Sequence, residues 1–259
     1  MKVCLSNRQS KEYLQKANEI KIHLRDKNSI TDLFINYPDA DIILIQNVDE
    51  ELIESELIEW NNASNKHLIV CLSSLSYVDM CKKNGIKFYY GFPVSSYYQL
   101  EALKDLGVCY VRLDAPLFFD LPKVKNYNLP IRAVPNIAYA DGISRSDGVC
   151  GTWIRPEDID VYAEYIDTIE FEDCDERKEQ GLYRVYMIDK QWDTDLGLLI
   201  TNLNHIGYNR MIMSRYSTQR ISCKQDCKRD NKCRICYNML DLANPDKMKE
   251  YAESQGINI

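Results

Sequence analysis

Four cysteines stand within fourteen residues near the C-terminus: Cys223, Cys227, Cys233 and Cys236, spaced C-x3-C-x5-C-x2-C. Lysines, arginines, Asp226, Asp230 and Asn231 separate them, so they cannot form a hydrophobic core. Neighbouring cations favour the thiolate, the form that binds metal. Three chemistries are open: a disulfide staple, a tetrahedral zinc site, or an iron–sulfur cluster. The chain has ten cysteines, and its N-terminus "MKVCLSNRQSKEY" lacks the apolar run of a secretory leader. That combination predicts a reducing, cytoplasmic setting with free or metal-bound thiols. Zinc sites usually join two short Cys-x-x-Cys knuckles across a dozen or more residues. Here only Cys233 and Cys236 make such a knuckle, and the gap after Cys227 is five residues. The tight loop suits a larger cluster better than one ion, with zinc as the alternative. A radical-SAM arrangement is excluded, because the third cysteine comes too late after the C-x3-C pair and too close to the C-terminus. A fifth candidate thiol is Cys150, in the long loop described below.

The remaining cysteines read differently. Cys4, Cys71 and Cys109 lie in apolar, strand-like runs and Cys81 on an amphipathic helix, which predicts small buried hydrophobes. Cys174 follows the last predicted strand and could approach Cys150 or cap that strand.

The elements that must position these residues alternate regularly. Strand-like runs occur at 2–6, 20–25, 41–46, 67–73, 86–92, 109–115, 131–136 and 168–173. Between them, segments such as "SITDLFINY", "DEELIESELIEWNN", "LSYVDMCKKNG" and "SSYYQLEALKDLG" carry helical apolar spacing, and two end in glycine. Eight strand–helix units predict a (β/α)8, TIM-like barrel with a mainly parallel sheet. A doubly wound open sheet is the alternative, and it lacks a glycine-rich dinucleotide or P-loop signature. The barrel is expected over residues 1–209, with a cysteine-rich, metal-binding extension over 210–259. Residues 136–156 form a long connection with three glycines, expected at the C-terminal face of the barrel, where active sites form. "RPEDIDVYAEYI" then opens a helix, with Pro156 in its first turn. "EQGLYRVYMIDKQW" reads as a further strand or hairpin.

The charge balance is −7 and is uneven. Asp49–Glu59 carries six acids and no base, whereas Arg210–Arg234 carries eight bases and two acids. Overall acidity argues against a protein that coats nucleic acid, but the basic segment coincides with the cysteines and is a candidate RNA-phosphate contact. No apolar stretch is long enough to span a membrane.

Catalytic candidates are polar residues near strand C-termini. Arg112 and Asp114 alternate with Val111 and Leu113. Arg132 lies in the seventh strand, Asn136 ends it, and Glu170 and Glu172 share one face of the eighth. An inward arginine binds carboxylate or phosphate, or fills the barrel's polar end in an Arg–Asp pair. Tyr89, Tyr90, Tyr97 and Tyr98 could stack a base or ring, or pack the core and rim. The three histidines, His23, His67 and His205, form no metalloprotease pattern, and no serine-hydrolase elbow occurs.

Residues 148–173, "GVCGTWIRPEDIDVYAEYIDTIEFED", resemble a segment of the peptidase U32 (collagenase-like) family. The matching positions are Cys150, Trp153, Ile154, Arg155, Pro156, Glu157, Asp158, Tyr162 and Phe171. The resemblance implies a TIM-like barrel with a cysteine-rich C-terminal part. It also implies hydroxylation or related modification of RNA or a small aromatic precursor rather than peptidase activity. A [4Fe–4S] cluster is implied, with Cys150 and three of the C-terminal cysteines as ligands; all four C-terminal cysteines without Cys150 are the alternative set. Glu170 and Glu172 flank Phe171 where the family tends to carry lysine. The other reading is a non-catalytic binding subunit, stabilised by zinc or a cluster, for a protein or nucleic-acid partner.

Overall fold

The computed structural model describes residues 1–137 and 152–192. They fall into two compact units.

The first unit comprises Met1–Arg112, Tyr127–Ala133 and Ile166–Gln180 and contains the whole sheet. Its strands are β1 (Lys2–Ser6), β2 (Glu19–His23), β3 (Asp41–Ile45), β4 (Leu68–Leu72), β5 (Lys87–Tyr90), β6 (Val111–Arg112), β7 (Ile131–Ala133) and β8 (Thr168–Glu170). Helices α1 (Lys11–Leu14), α2 (Ile30–Asn36), α3 (Glu54–Ala63), α4 (Val78–Lys83) and α5 (Tyr97–Leu106) alternate with the first strands. The strand order is β5-β4-β3-β2-β1-β8-β7-β6, and every pairing is parallel. Strands consecutive in the chain are therefore neighbours, and β8 returns to β1. Across the remaining seam, the Cys109 N–H donates to the Phe88 carbonyl at 2.9 Å and the Val94 N–H to the Arg112 carbonyl at 2.8 Å. The result is a nearly closed (β/α)8, TIM-like barrel. All eight strands lie within the expected runs apart from Glu19, one residue ahead of the second.

Local chemistry explains these elements. The apolar run "LIVCL" of β4 is buried throughout, as parallel strands covered on both faces require. Ser96 caps α5 by accepting the Gln99 N–H, and Gly107 ends that helix at φ +75°, a left-handed conformation glycine adopts without a Cβ penalty. Cys4, Cys71 and Cys81 are buried and Cys109 partly so, as their strand and helix positions predict. Burial pushes the thiols of Cys4 and Cys109 up to about 12 and those of Cys71 and Cys81 up to about 11. They are neutral and poorly disposed to bind metal.

The second unit is described through 113–126, 134–137, 152–165 and 181–192. It contains α6 (Ala115–Phe118), α7 (Leu121–Val124) and α8 (Ile159–Tyr162). Phe118 stacks on Tyr162 with centroids 5.6 Å apart. The expected helix after Pro156 opens as a short 3-10 turn, Pro156–Asp158, and continues as α8. The expected strand or hairpin at "EQGLYRVYMIDKQW" is instead α9 (Glu176–Tyr183), followed by a π-helical turn, Arg184–Asp189. The buried residues Glu179, Leu182, Tyr183 and Tyr186 follow helical spacing, and that stripe outweighs the local strand preference of Val and Tyr. The expected boundary at 209/210, the extension with Cys223, Cys227, Cys233 and Cys236, the basic segment, His205 and Cys150 all lie outside the described residues. Among the described residues, no helix is long and apolar enough to cross a membrane.

Candidate functional site

In β2 the sequence E-I-K-I-H alternates polar with apolar. Ile20 and Ile22 are fully buried on one face, which leaves Glu19, Lys21 and His23 on the other. Register pairs Cys4 with Glu19 and with Glu170, Lys21 with Ile43, and Arg112 with Arg132. These residues therefore share the barrel's interior face. They divide it into two sectors. The β3–β5 side is apolar, with Ile43, Ile45, Ile69, Cys71 and Tyr89 in one cluster. The β6–β8 and β2 side carries charge.

Arg132 lies at the centre of the charged sector, with no solvent exposure of its side chain. One guanidinium nitrogen donates to Glu19 and another to Glu170 at 3.2 Å. Its carbon lies 4.7 Å from the Tyr110 ring centroid and 5.1 Å from that of Tyr89, within cation–π range. Glu19 also accepts from the Tyr110 hydroxyl at 2.7 Å and the Thr168 hydroxyl at 3.3 Å. Arg132, Glu19 and Glu170 are thus each hydrogen-bonded to an opposite charge, as burial demands, although the buried Arg132 Nε has no partner among the described residues. Burial alone would raise the Glu170 carboxyl; Arg132, Arg112 and Lys21 outweigh it and hold the group below its ordinary range, hence ionised.

Towards the strands' C-terminal ends stand Arg112, Lys21 and Glu172. Arg112 donates to the Gly91 carbonyl at 3.1 Å, approaches Glu170 at 3.8 Å, and pairs with Glu172 at 2.8 Å. Gly91 is needed there for space: a Cβ would come within 2.9 Å of the Cys71 sulfur. Lys21 donates to the Phe171 carbonyl and lies 3.9 Å from Glu179. Burial would lower its ammonium group; Glu170, Glu179 and Glu172 reverse that, so Lys21 is held above its ordinary range and charged. Glu179 is fixed in turn by the Ser6 N–H at 3.0 Å and the Gln9 amide at 2.5 Å. His23 is shifted down, first by burial and then by Arg25 and Lys21, so its imidazole is neutral near pH 7. Asp173, just beyond Glu172, adopts a left-handed φ of +49°, a conformation that asparagine and aspartate tolerate best among residues with a Cβ.

The structure thus brings Arg112 and Arg132 together with Glu170 and Glu172. Within the first unit the arginines pair with Glu19, Glu170 and Glu172. Asp114 belongs to the second unit, where it is buried and its carbonyl accepts the N–H groups of Leu117 and Phe118 at the start of α6. Asn136 is buried in that unit. Glu19 and Lys21 were not among the sequence candidates; the signal was the charged alternation in a strand otherwise covered on both faces. Of the tyrosines, Tyr89 is interior, Tyr90 packs on Phe92, Tyr97 stacks on Tyr127 at 5.7 Å, and Tyr98 is 81% exposed. His67 pairs with Asp41 at 3.0 Å.

The segment that carries the family resemblance has a packing role. Trp153 is fully buried, and buried Arg155 grips Asp158 with two bonds of 2.7 and 2.5 Å. The Tyr186 hydroxyl lies 2.6 Å from the Ile154 carbonyl, and Glu157 accepts the Trp192 N–H at 2.8 Å. Among the described residues, no group of three or more His, Cys, Asp and Glu side chains could hold a metal ion.

No protein-family model and no curated protein matches the chain. Among solved structures, it is similar to a mutant tryptophan synthase α-subunit from the hyperthermophile Pyrococcus furiosus, at 11% identity and a TM-score of 0.43, over 66% of this chain and 86% of that one. It is also similar to a 3-keto-L-gulonate-6-phosphate decarboxylase from Vibrio cholerae, at 11% identity and a TM-score of 0.43, over 74% of this chain and 98% of that one. A tryptophan synthase α-subunit from Legionella pneumophila matches at 12% identity and a TM-score of 0.41, over 73% and 86%. The barrel assignment rests on the strand order and pairing above.

Proposed function

We propose that this barrel is an enzyme whose reaction centre is the charged sector at the C-terminal ends of β2, β6 and β8. One observation carries the reading: Lys21, Arg112, Glu170 and Glu172, from three separate strands and the residues just beyond them, converge at the end of the barrel where (β/α)8 enzymes place their chemistry. Arg112 and Lys21 would stabilise negative charge on a substrate. Glu170, ionised and held between cations, would fix both. Arg132, sealed from solvent, would be a positioning residue for Glu170.

The finer reading is hydroxylation or a related modification of RNA or a small aromatic precursor. It is supported by the resemblance of residues 148–173 and by the C-x3-C-x5-C-x2-C spacing. As the resemblance implies, a [4Fe–4S] cluster would be held by Cys150 and three of Cys223, Cys227, Cys233 and Cys236, or by those four without Cys150. Such a cluster supplies one-electron chemistry when bound. The Arg210–Arg234 segment would contact RNA phosphates, with a salt-dependent affinity.

A non-catalytic binding subunit is the second reading, favoured by the two buried ion pairs of Arg132, with Glu19 and Glu170, which fill a barrel interior as a structural core does. Anaerobic purification with iron, sulfide and zinc analysis and visible absorption tests the proposal. Iron and sulfide with a broad band near the blue end of the spectrum are expected, together with loss of iron in Cys150→Ala. One zinc per chain and no iron would overturn the iron–sulfur reading.

A further inference from the structure

The charged sector has an inner and an outer part. Glu19, Glu170 and Glu179 have side chains at most 3% exposed, whereas that of Glu172 is 29% exposed. Arg112 is anchored from within by the Gly91 carbonyl and by its approach to Glu170, and it reaches Glu172 through its Nη2. If Glu172 turned outward, Arg112 would keep Glu170 as a counter-ion, so no buried cation would be left unmatched. The vacated position would lie beside Arg112 and within the field of Lys21, which also feels Glu172.

The neighbourhood on the other side is apolar. Gly91 adjoins the Cys71 sulfur, and Cys71 is in register with Ile45 and Tyr89. Ile45 is only partly buried. A ligand seated there would meet a cationic fork at one end and an aliphatic and thiol surface at the other. Small-molecule sites combine a few convergent polar groups with an apolar lining in this way.

We infer that Glu172 is an internal stand-in for a substrate carboxylate: a small carboxylic acid with an apolar body displaces it from Arg112 and lays that body against Ile45 and Cys71. The carboxylate class follows from the group being replaced, which is itself a carboxylate paired with a guanidinium. The tethered Glu172 competes with the ligand, so apparent affinity is reduced by the fraction of time it occupies the site. The inference deepens the proposal that the barrel mouth is a substrate site and rests on it.

Calorimetric titration of the full chain with benzoate tests it, with benzyl alcohol and inorganic phosphate as controls. Glu172→Gln is expected to bind benzoate at least about tenfold more tightly than the unaltered chain, because the internal competitor is weakened. Arg112→Met is expected to lose benzoate binding, and Arg112→Lys, which keeps the charge but not the fork, to weaken it at least about tenfold. Benzyl alcohol, which lacks the carboxylate, is expected not to bind, and phosphate not to displace benzoate. Equal benzoate affinity in Glu172→Gln and the unaltered chain would overturn the inference, as would displacement by phosphate. Glu172 lies at the rim, so its variant carries the test should Arg112→Met fail to fold. Absence of iron would sink the iron–sulfur reading and leave benzoate binding standing; an iron-containing protein indifferent to Glu172→Gln would sink this inference alone.

Discussion

Replacing Arg132 with methionine removes the cation that holds the barrel's interior together. Two carboxylates, Glu19 and Glu170, lose their central partner while remaining buried. The Tyr89 and Tyr110 rings lose a cation at 5.1 and 4.7 Å. Breaking a buried ion pair by deleting one partner costs about 3–5 kcal/mol, a large share of the roughly 5–15 kcal/mol that stabilises an ordinary protein. Glu19 keeps Tyr110 and Thr168, and Glu170 keeps Arg112, so the lower half of that range is expected. The assay is urea denaturation of the full chain followed by circular dichroism, for Arg132→Met, Glu19→Gln and the double variant. The double variant should cost less than the sum of the singles, with a coupling of about 1–3 kcal/mol. The pH dependence adds a sign. Glu170 has a lowered folded-state value, so its contribution is present above the unfolded carboxyl value and is lost as pH falls through the folded one. In Arg132→Met, Glu170 carries a burial cost that protonation relieves, so the stability gap between variant and unaltered chain should narrow from pH 7 to pH 5. A loss below about 1 kcal/mol, well short of the expected cost, or strictly additive singles, would refute the view that Arg132 neutralises this core.

Gly91→Ala should destabilise the barrel by about 1–3 kcal/mol, because the new methyl group would meet the Cys71 sulfur at 2.9 Å. Adding Cys71→Ala should recover much of the loss in the same denaturation assay, and failure to recover would place the strain elsewhere. The buried thiols predict alkaline weakening. Cys4 is raised from 9.0 to about 12 and Cys71 from 9.0 to about 11, so the stability they contribute is fully present below pH 9 and declines as pH rises towards 11–12. Each thiol should contribute a loss of up to about 1.4 kcal/mol per pH unit above 9. Denaturation at pH 8, 9 and 10 should show a shallower decline in Cys4→Ala, and parallel slopes would exclude the thiol as the cause.

Much of the barrel can be read along the chain. Strand runs such as "DIILI" and "LIVCL" are apolar on both faces, which only a covered parallel sheet accommodates, and their alternation with helical stripes implies the topology. The burial of Cys4, Cys71 and Cys81 follows from their places in those runs and in α4. Segment 179–192 reads as a strand because its tyrosines and valine favour strands locally, whereas its buried stripe has helical spacing. The charged sector was only half legible. Alternation along the expected eighth strand, 168–173, puts Glu170 and Glu172 on one face, but nothing local says that this face meets Arg112.

Arg132 and Glu19 are 113 positions apart, and Arg132 and Glu170 are 38 apart. Their meeting depends on β8 returning to pair with β1, a closure that sets every register around the ring. The sequence by itself determined the eight barrel strands, the alternation of Glu170 and Glu172 on one face and the burial of Cys4, Cys71 and Cys81, because these depend on periods of two and 3.6 residues. Only the tertiary structure decided which inward charges become partners. That choice arises from ring closure and from the cost of burying any one of them alone.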